Sequence, residues 1–316
     1  MTPTSRRRWQ DLRPLIAVSL LMAGLTVVFG IAMLVDPRTI EGVPAWLKPA
    51  KFAVSTAIYG ATLAWMLGAL ADWPRLRRWA VWTTSVVFVG EVALIAVQAW
   101  RGTPSHFNTS TLFDGAVFTA MGLGIFSQTA VAGAVAVALW RHRFADRAMG
   151  WAMRMGMTVA VVGALTGGLM TRPTAEQLAA ARLTGEMPRS GAHTVGAPDG
   201  GPGLPGTRWS LEHGDLRVPH FVGLHAMQAL PLFVWALARL RREAVRVRLA
   251  LGAGISYAAL FAVLLTQALL GQSVAAPSAG FLAAFALWAI ASLGFVAFTW
   301  LEPRAGWRLT SAWSLQ

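Results

Sequence analysis

The chain has 316 residues, 55% of them hydrophobic and only 13% charged, with a mean hydropathy of +0.53. So few charges cannot coat a globular surface, and the apolar runs are long enough to cross a bilayer as helices. This excludes a soluble enzyme, a disordered chain and an outer-membrane barrel of alternating strands. The net charge of +13 reads as a topology and lipid signal rather than a nucleic-acid one, because most basic residues lie in short loops between apolar runs.

Eight spans are predicted, at about 14–36, 50–71, 77–100, 112–140, 148–170, 219–240, 249–271 and 279–301. The expected fold is therefore an all-α polytopic membrane protein. Arg6, Arg7, Arg8 and Arg13 precede the first span, which is too long for a cleaved signal peptide. Arg75, Arg77, Arg78, Arg141, Arg143, Arg147, Arg239, Arg241, Arg242, Arg246, Arg248, Arg304 and Arg308 fall on that same side. The short loops opposite hold only Arg38, Lys48, Lys51 and Arg101, so the positive-inside rule places both termini in the cytoplasm of a cell inner membrane.

A shift of 169 residues aligns span two with six, three with seven and four with eight. Leu47-Lys48 then meets Leu216-Arg217, Phe52 meets Phe221, and Gln98-Ala99-x-x-Gly102 meets Gln267-Ala268-x-x-Gly271. Two four-helix pseudo-repeats are expected, residues 1–147 and 148–316, with an outer cap inserted at 171–218. Within the cap, 172–190 suits a short helix. Gly191 to Gly206 is too rich in Gly and Pro for a helix or a regular strand.

The polar chemistry gathers on the cap side. Glu91 lies about 15 Å below the outer surface, where a carboxyl marks either function or a hydrogen-bonded link between helices. Gln98 shares its face, and Arg101 ends the same helix. The loop that follows offers Ser105, His106 and Asn108, and Thr111-x-x-Asp114 reads as a capping box. Lys48 and Lys51, the only lysines beside 25 arginines, lie on one face at the mouth of span two. They suit an anionic headgroup or substrate, or simple snorkelling.

The densest segment runs from Glu212 to His225 and holds His213, Asp215, Arg217 and His220. His220 and His225, five apart, point about 140° from one another on a regular helix. His225 is then expected to face inward with Gln228, and His220 to turn toward the loop. With no cysteine in the chain, a metal must be held by imidazole, carboxylate or amide groups. Five histidines map to the cap side, His106, His193, His213, His220 and His225, and are the candidate ligands for Zn, Fe, Cu or haem b.

Eight spans in two halves with outward histidines is similar to the layout of membrane haem proteins such as haem A synthase. The paired histidines on facing helices that mark that family are absent here. The leading expectation is a membrane-embedded metal- or haem-dependent enzyme or redox protein. Glu91 or Asp215 would carry protons, while Lys48, Lys51, Gln98, Arg101, Asn108, Arg217 and Gln228 would bind a lipidic or small anionic substrate. The alternatives are a proton-coupled small-molecule transporter, or a non-catalytic receptor or assembly factor. Partners are the lipid bilayer and no nucleic acid.

Overall fold

The computed structural model describes residues 9–239 and 242–301. Of the arginines used above, those at 6, 7, 8, 241, 304 and 308 lie outside them. Nine α-helices follow in order among the described residues: α1 (Arg13–Val35), α2 (Leu47–Ala69), α3 (Pro74–Trp100), α4 (Leu112–Arg141), α5 (Arg147–Met170), α6 (Ala175–Thr184), α7 (Arg217–Ala236), α8 (Glu243–Leu269) and α9 (Ala279–Leu301). All but α6 are long and apolar enough to cross a membrane, so the chain is an all-α polytopic membrane protein with eight candidate spans.

The expected boundaries shift for local reasons. Pro49 and Pro74 sit in the first turns of α2 and α3, where a missing N–H costs nothing, so both helices start three residues early. Pro231 lies inside α7, which ends at Ala236 and tightens into a 3₁₀ turn, Leu237–Arg239.

Apolar side chains of α1, α2, α3, α4, α5 and α7, among them Leu15, Leu63, Leu67, Val81, Val135, Met157 and Met227, form the largest core cluster. The remaining apolar faces point outward, where hydrocarbon solvates them. Helix α1 packs on α2 and α3, α2 on α3, and α3 on α4. In the same order α5 packs on α7 and α8, α7 on α8, and α8 on α9, with α4 against α5 joining the two sets. Gln98 and Gln267 are both buried, and each precedes a left-handed glycine, Gly102 (φ 73°) and Gly271 (φ 72°). The turns close alike, Thr103 N donating to Gln98 O at 3.1 Å and Gln272 N to Gln267 O at 3.0 Å.

On the cap face a two-residue hairpin, β1 (Thr39–Ile40) and β2 (Val43–Pro44), leads into α2. The cap carries local structure of its own. Thr174 and Gln177 make the capping box of α6, which stops at Gly185 (φ 75°) as its sequence suggests. The segment beyond is irregular, as its Gly and Pro content demands. It contributes only β3 (Thr194–Val195), paired with β4 (Gly214–Asp215), and single bridges Asn108–Arg189, Gly203–Ser210 and His213–Gln272.

Candidate functional site

Three side chains that the sequence singles out separately meet under the cap. Glu91, on the buried face of α3, is 3% exposed, and its Oε1 has no hydrogen-bond partner. His106 Nε2 stands 3.7 Å from that oxygen. His106 belongs to the α3–α4 loop; its Nδ1 is 3.1 Å from Ser105 Oγ, and its ring packs on Phe52 and Phe107. Burial, then the Lys48 ammonium, hold this imidazole well below its ordinary pKa, so at pH 7 it is neutral. If Ser105 donates to Nδ1, the ring N–H sits on Nε2 and faces the carboxyl. Lys48, in the first turn of α2, is half-buried and interacts electrostatically with Glu91. Its ammonium has no hydrogen-bond or ion-pair partner among the described residues. An imidazole, a partnerless buried carboxyl oxygen and an unengaged ammonium thus share one patch.

A knot of fully engaged groups holds the His106 loop. Arg101 Nη1 and Gln98 Nε2 both donate to Asp114 Oδ1, at 2.5 and 2.8 Å, and Thr111 Oγ donates to Oδ2 at 2.7 Å. Asp114 N donates back to Thr111 Oγ, so Thr111 caps α4, but the Asp114 carboxyl takes the Thr111 hydroxyl and not the backbone N–H that a full capping box needs. Asn108 braces the loop from within, donating to Thr103 Oγ and accepting from Ser110. Phe107 adopts φ 62°, a conformation a bulky residue takes only when its surroundings impose it. Here Ser190 N donates to its carbonyl at 2.9 Å, and Gly191 lies against its ring. The cap therefore fixes the loop that presents His106.

Asp215 and Arg217 form a second knot. Both oxygens of the buried Asp215 carboxylate accept from Arg217, and Oδ2 also accepts from Ser210 N at 2.9 Å. Arg217 reaches on to the Arg208 carbonyl, and Lys51 Nζ donates to Thr207 O at 3.2 Å. Arg189 bridges Glu41 and Asp199, and Asp199 accepts from the backbone N–H groups of His193 and Thr194. With these bonds made, Asp215, Arg217 and Lys51 act in the structure as ties between cap and bundle.

Protonation should loosen this knot. Burial, then Arg217, push the His193 imidazole down to about 4 from 6.5, against the opposing pull of Asp199 and Asp215. A histidine kept neutral when folded costs stability as the pH falls from its unfolded value to its folded one. Cap opening should thus become easier between pH 6.5 and about 4, by an amount of order 3 kcal/mol. Burial raises the Asp215 carboxyl, but Arg217, the Ser210 N–H and His193 together outweigh it and hold it below 3.8, so a further loss sets in only under that pH. Hydrogen exchange over residues 188–216, corrected for intrinsic chemistry, should report this profile. His193→Gln should flatten its upper limb, and a flat wild-type profile would refute the account.

The five histidines are not brought together. His220 Nδ1 lies 2.8 Å from Gly163 O and 3.4 Å from Thr166 Oγ, so its ring is locked against α5. His225 bonds the Phe221 carbonyl one turn back on its own helix at 2.8 Å and stacks on the Phe221 ring. His220 therefore faces α5 rather than the loop, while His225 stays half-buried against its own helix. Gln228 faces α2, its amide 3.3 Å from Thr62 Oγ. His213 pairs with Gln272 through the backbone, and His193 belongs to the Asp199 knot. Among the described residues no group of three or more His, Cys, Asp or Glu is arranged to hold a metal ion.

Comparisons with protein-family models, curated proteins and solved structures found no match for this chain. Its chemistry must be argued from its own residues. The sequence reading joins Glu91 to Gln98 but misses that Thr84 and Arg77 continue the same seven-residue spacing down α3, with all four buried. The seven-residue spacing is the signal that points to them, masked by the apolar residues between.

Proposed function

We propose that the chain is a membrane-embedded enzyme carrying out acid–base chemistry at its outer face on a small anionic or lipidic substrate. The observation that carries this reading is Glu91 Oε1, buried without a hydrogen-bond partner and 3.7 Å from His106 Nε2. A buried orphan oxygen is costly and is retained where a ligand or a proton is to be received. In this reading Glu91 exchanges a proton with the substrate, His106 relays it toward the cap, and Lys48 holds the anion. Ser105 orients the imidazole. His106 and Glu91 offer at most two ligands, so a metal- or haem-centred form of the reading has the weaker support.

The arginine bias supports an orientation with the cap outside and both termini in the cytoplasm of the inner membrane. The repeated packing order and the matching glycine turns support a parallel duplication of four helices. A second reading, a proton-coupled transporter, is favoured by the polar side chains that continue below Glu91 on α3.

The test works without a named substrate. Purified wild type, Glu91→Gln and His106→Ala are each incubated with a membrane lipid extract and a pool of small anions, and masses are compared. At least one compound should be consumed by wild type and by neither variant. No difference between wild type and Glu91→Gln would remove the enzymatic reading.

A further inference from the structure

The buried face of α3 bears polar residues from one end to the other. Thr84 and Ser85 are buried near the middle of the helix, and neither hydroxyl has a hydrogen-bond partner. Beside them Gln128 of α4 approaches the Tyr59 hydroxyl of α2 through its Nε2 at 3.4 Å, while its own Oε1 has no partner. The Tyr59 ring packs edge-on against Phe88, which lies on α3 between Ser85 and Glu91. Below them Arg77 is buried and faces Asp11 at 3.9 Å, at the face bearing the termini. Oxygens left without partners inside a bilayer are costly. Four of them, on Thr84, Ser85, Gln128 and Glu91, lie in the first-half core formed by α3 and its neighbour α4.

We infer that this stripe is a hydrated proton path joining the terminal face to Glu91, so that the acid–base site under the cap exchanges protons with the opposite side of the membrane. Seven residues of helix rise about 10 Å, a gap that about three hydrogen-bonded waters span. The Tyr59–Gln128 rung divides the upper gap, and the partnerless oxygens are acceptors for those waters. Phe88 is the one buried apolar side chain of α3 between Ser85 and Glu91, and below Thr84 the path must also pass the buried Ala80 and Val81. At the upper end Glu91 is faced by Lys48 from α2 and His106 from the loop. The inference rests on Glu91 being the titrating group of the proposed site, but its readout is protonation and not turnover.

The experiment uses the full chain, oriented in vesicles whose internal and external buffers are set independently. The Glu91 carboxyl band is identified by infrared difference against Glu91→Gln. It should follow the pH on the terminal face, and Thr84→Val/Ser85→Ala should slow that response at least tenfold while leaving the response to cap-face pH intact. A wild-type band that follows only the cap-face pH, or neither, would overturn the path. So would a double variant that responds as fast as wild type. Loss of turnover with an intact terminal-face response, or the reverse, separates failure of the enzymatic reading from failure of this one.

Discussion

Gly163→Val is expected to be the most damaging single substitution for folding. A Cβ at Gly163 would lie 2.6 Å from Gly223 Cα and 2.9 Å from Leu224 N, and both are backbone atoms that no rotamer change can move. The contact is reciprocal, and two turns earlier on α5 a Cβ at Gly156 would meet the Ala226 carbonyl at 2.8 Å. Small residues at these positions let α5 and α7 approach backbone to backbone, which is how helices gain packing energy when lipid removes the hydrophobic drive. A valine must part the helices and break the His220 contact with Gly163 O at 2.8 Å. Overpacking of this kind costs about 1–3 kcal/mol or more, and the lost hydrogen bond about 1 kcal/mol. Thermal unfolding in mild detergent should show a large drop for Gly163→Val and for Gly223→Val. Gly168→Ala, on the same helix with nothing within 4 Å, should melt at or slightly above the wild-type temperature. Equal melting of all three would mean that the helices do not cross this closely.

That crossing shows why part of the molecule is readable from the chain and part is not. Spans are set by length and hydropathy, both local, so eight of them emerge with shifts of a few residues at proline-bearing ends. Thr111 with Asp114 and Thr174 with Gln177 are local as well, since a helix cap is completed within one turn. Partners across helices are different. Glu91, Lys48 and His106 each stand out alone, as a deep carboxyl, a rare lysine and a loop imidazole. Nothing in the order of residues says that the α3–α4 loop folds back over α3, a path imposed by the Asp114 knot and the Phe107–Ser190 bond. The segment from Glu212 to His225 misleads for the converse reason. Density of ionisable groups along the chain suggests convergence in space, yet its members turn to four separate neighbours: the Asp199 knot, the Gln272 loop, α5 and the helix's own carbonyls.

Glu91→Leu is expected to raise stability while abolishing function, a pairing that a structural role does not allow. The carboxyl is 3% exposed, makes no hydrogen bond through Oε1 and has the His106 imidazole at 3.7 Å. It therefore bears its desolvation without the return that a made hydrogen bond provides. An apolar side chain of similar length relieves that cost, and Lys48, in the first turn of α2, can extend toward the interface once its counter-charge is gone. A gain of about 1–3 kcal/mol is expected, together with a fall in turnover of about 10²–10⁴-fold, the usual contribution of a positioned acid or base. Gln98→Leu supplies the contrast two turns along the same face. Its amide joins Asp114 and Arg101, so its removal should lower the melting temperature. Melting curves of both variants beside the turnover of Glu91→Leu decide the matter. A destabilised Glu91→Leu with unchanged turnover would make Glu91 a packing residue that links helices. His106 and Lys48 would then be left facing a carboxyl with no part in chemistry.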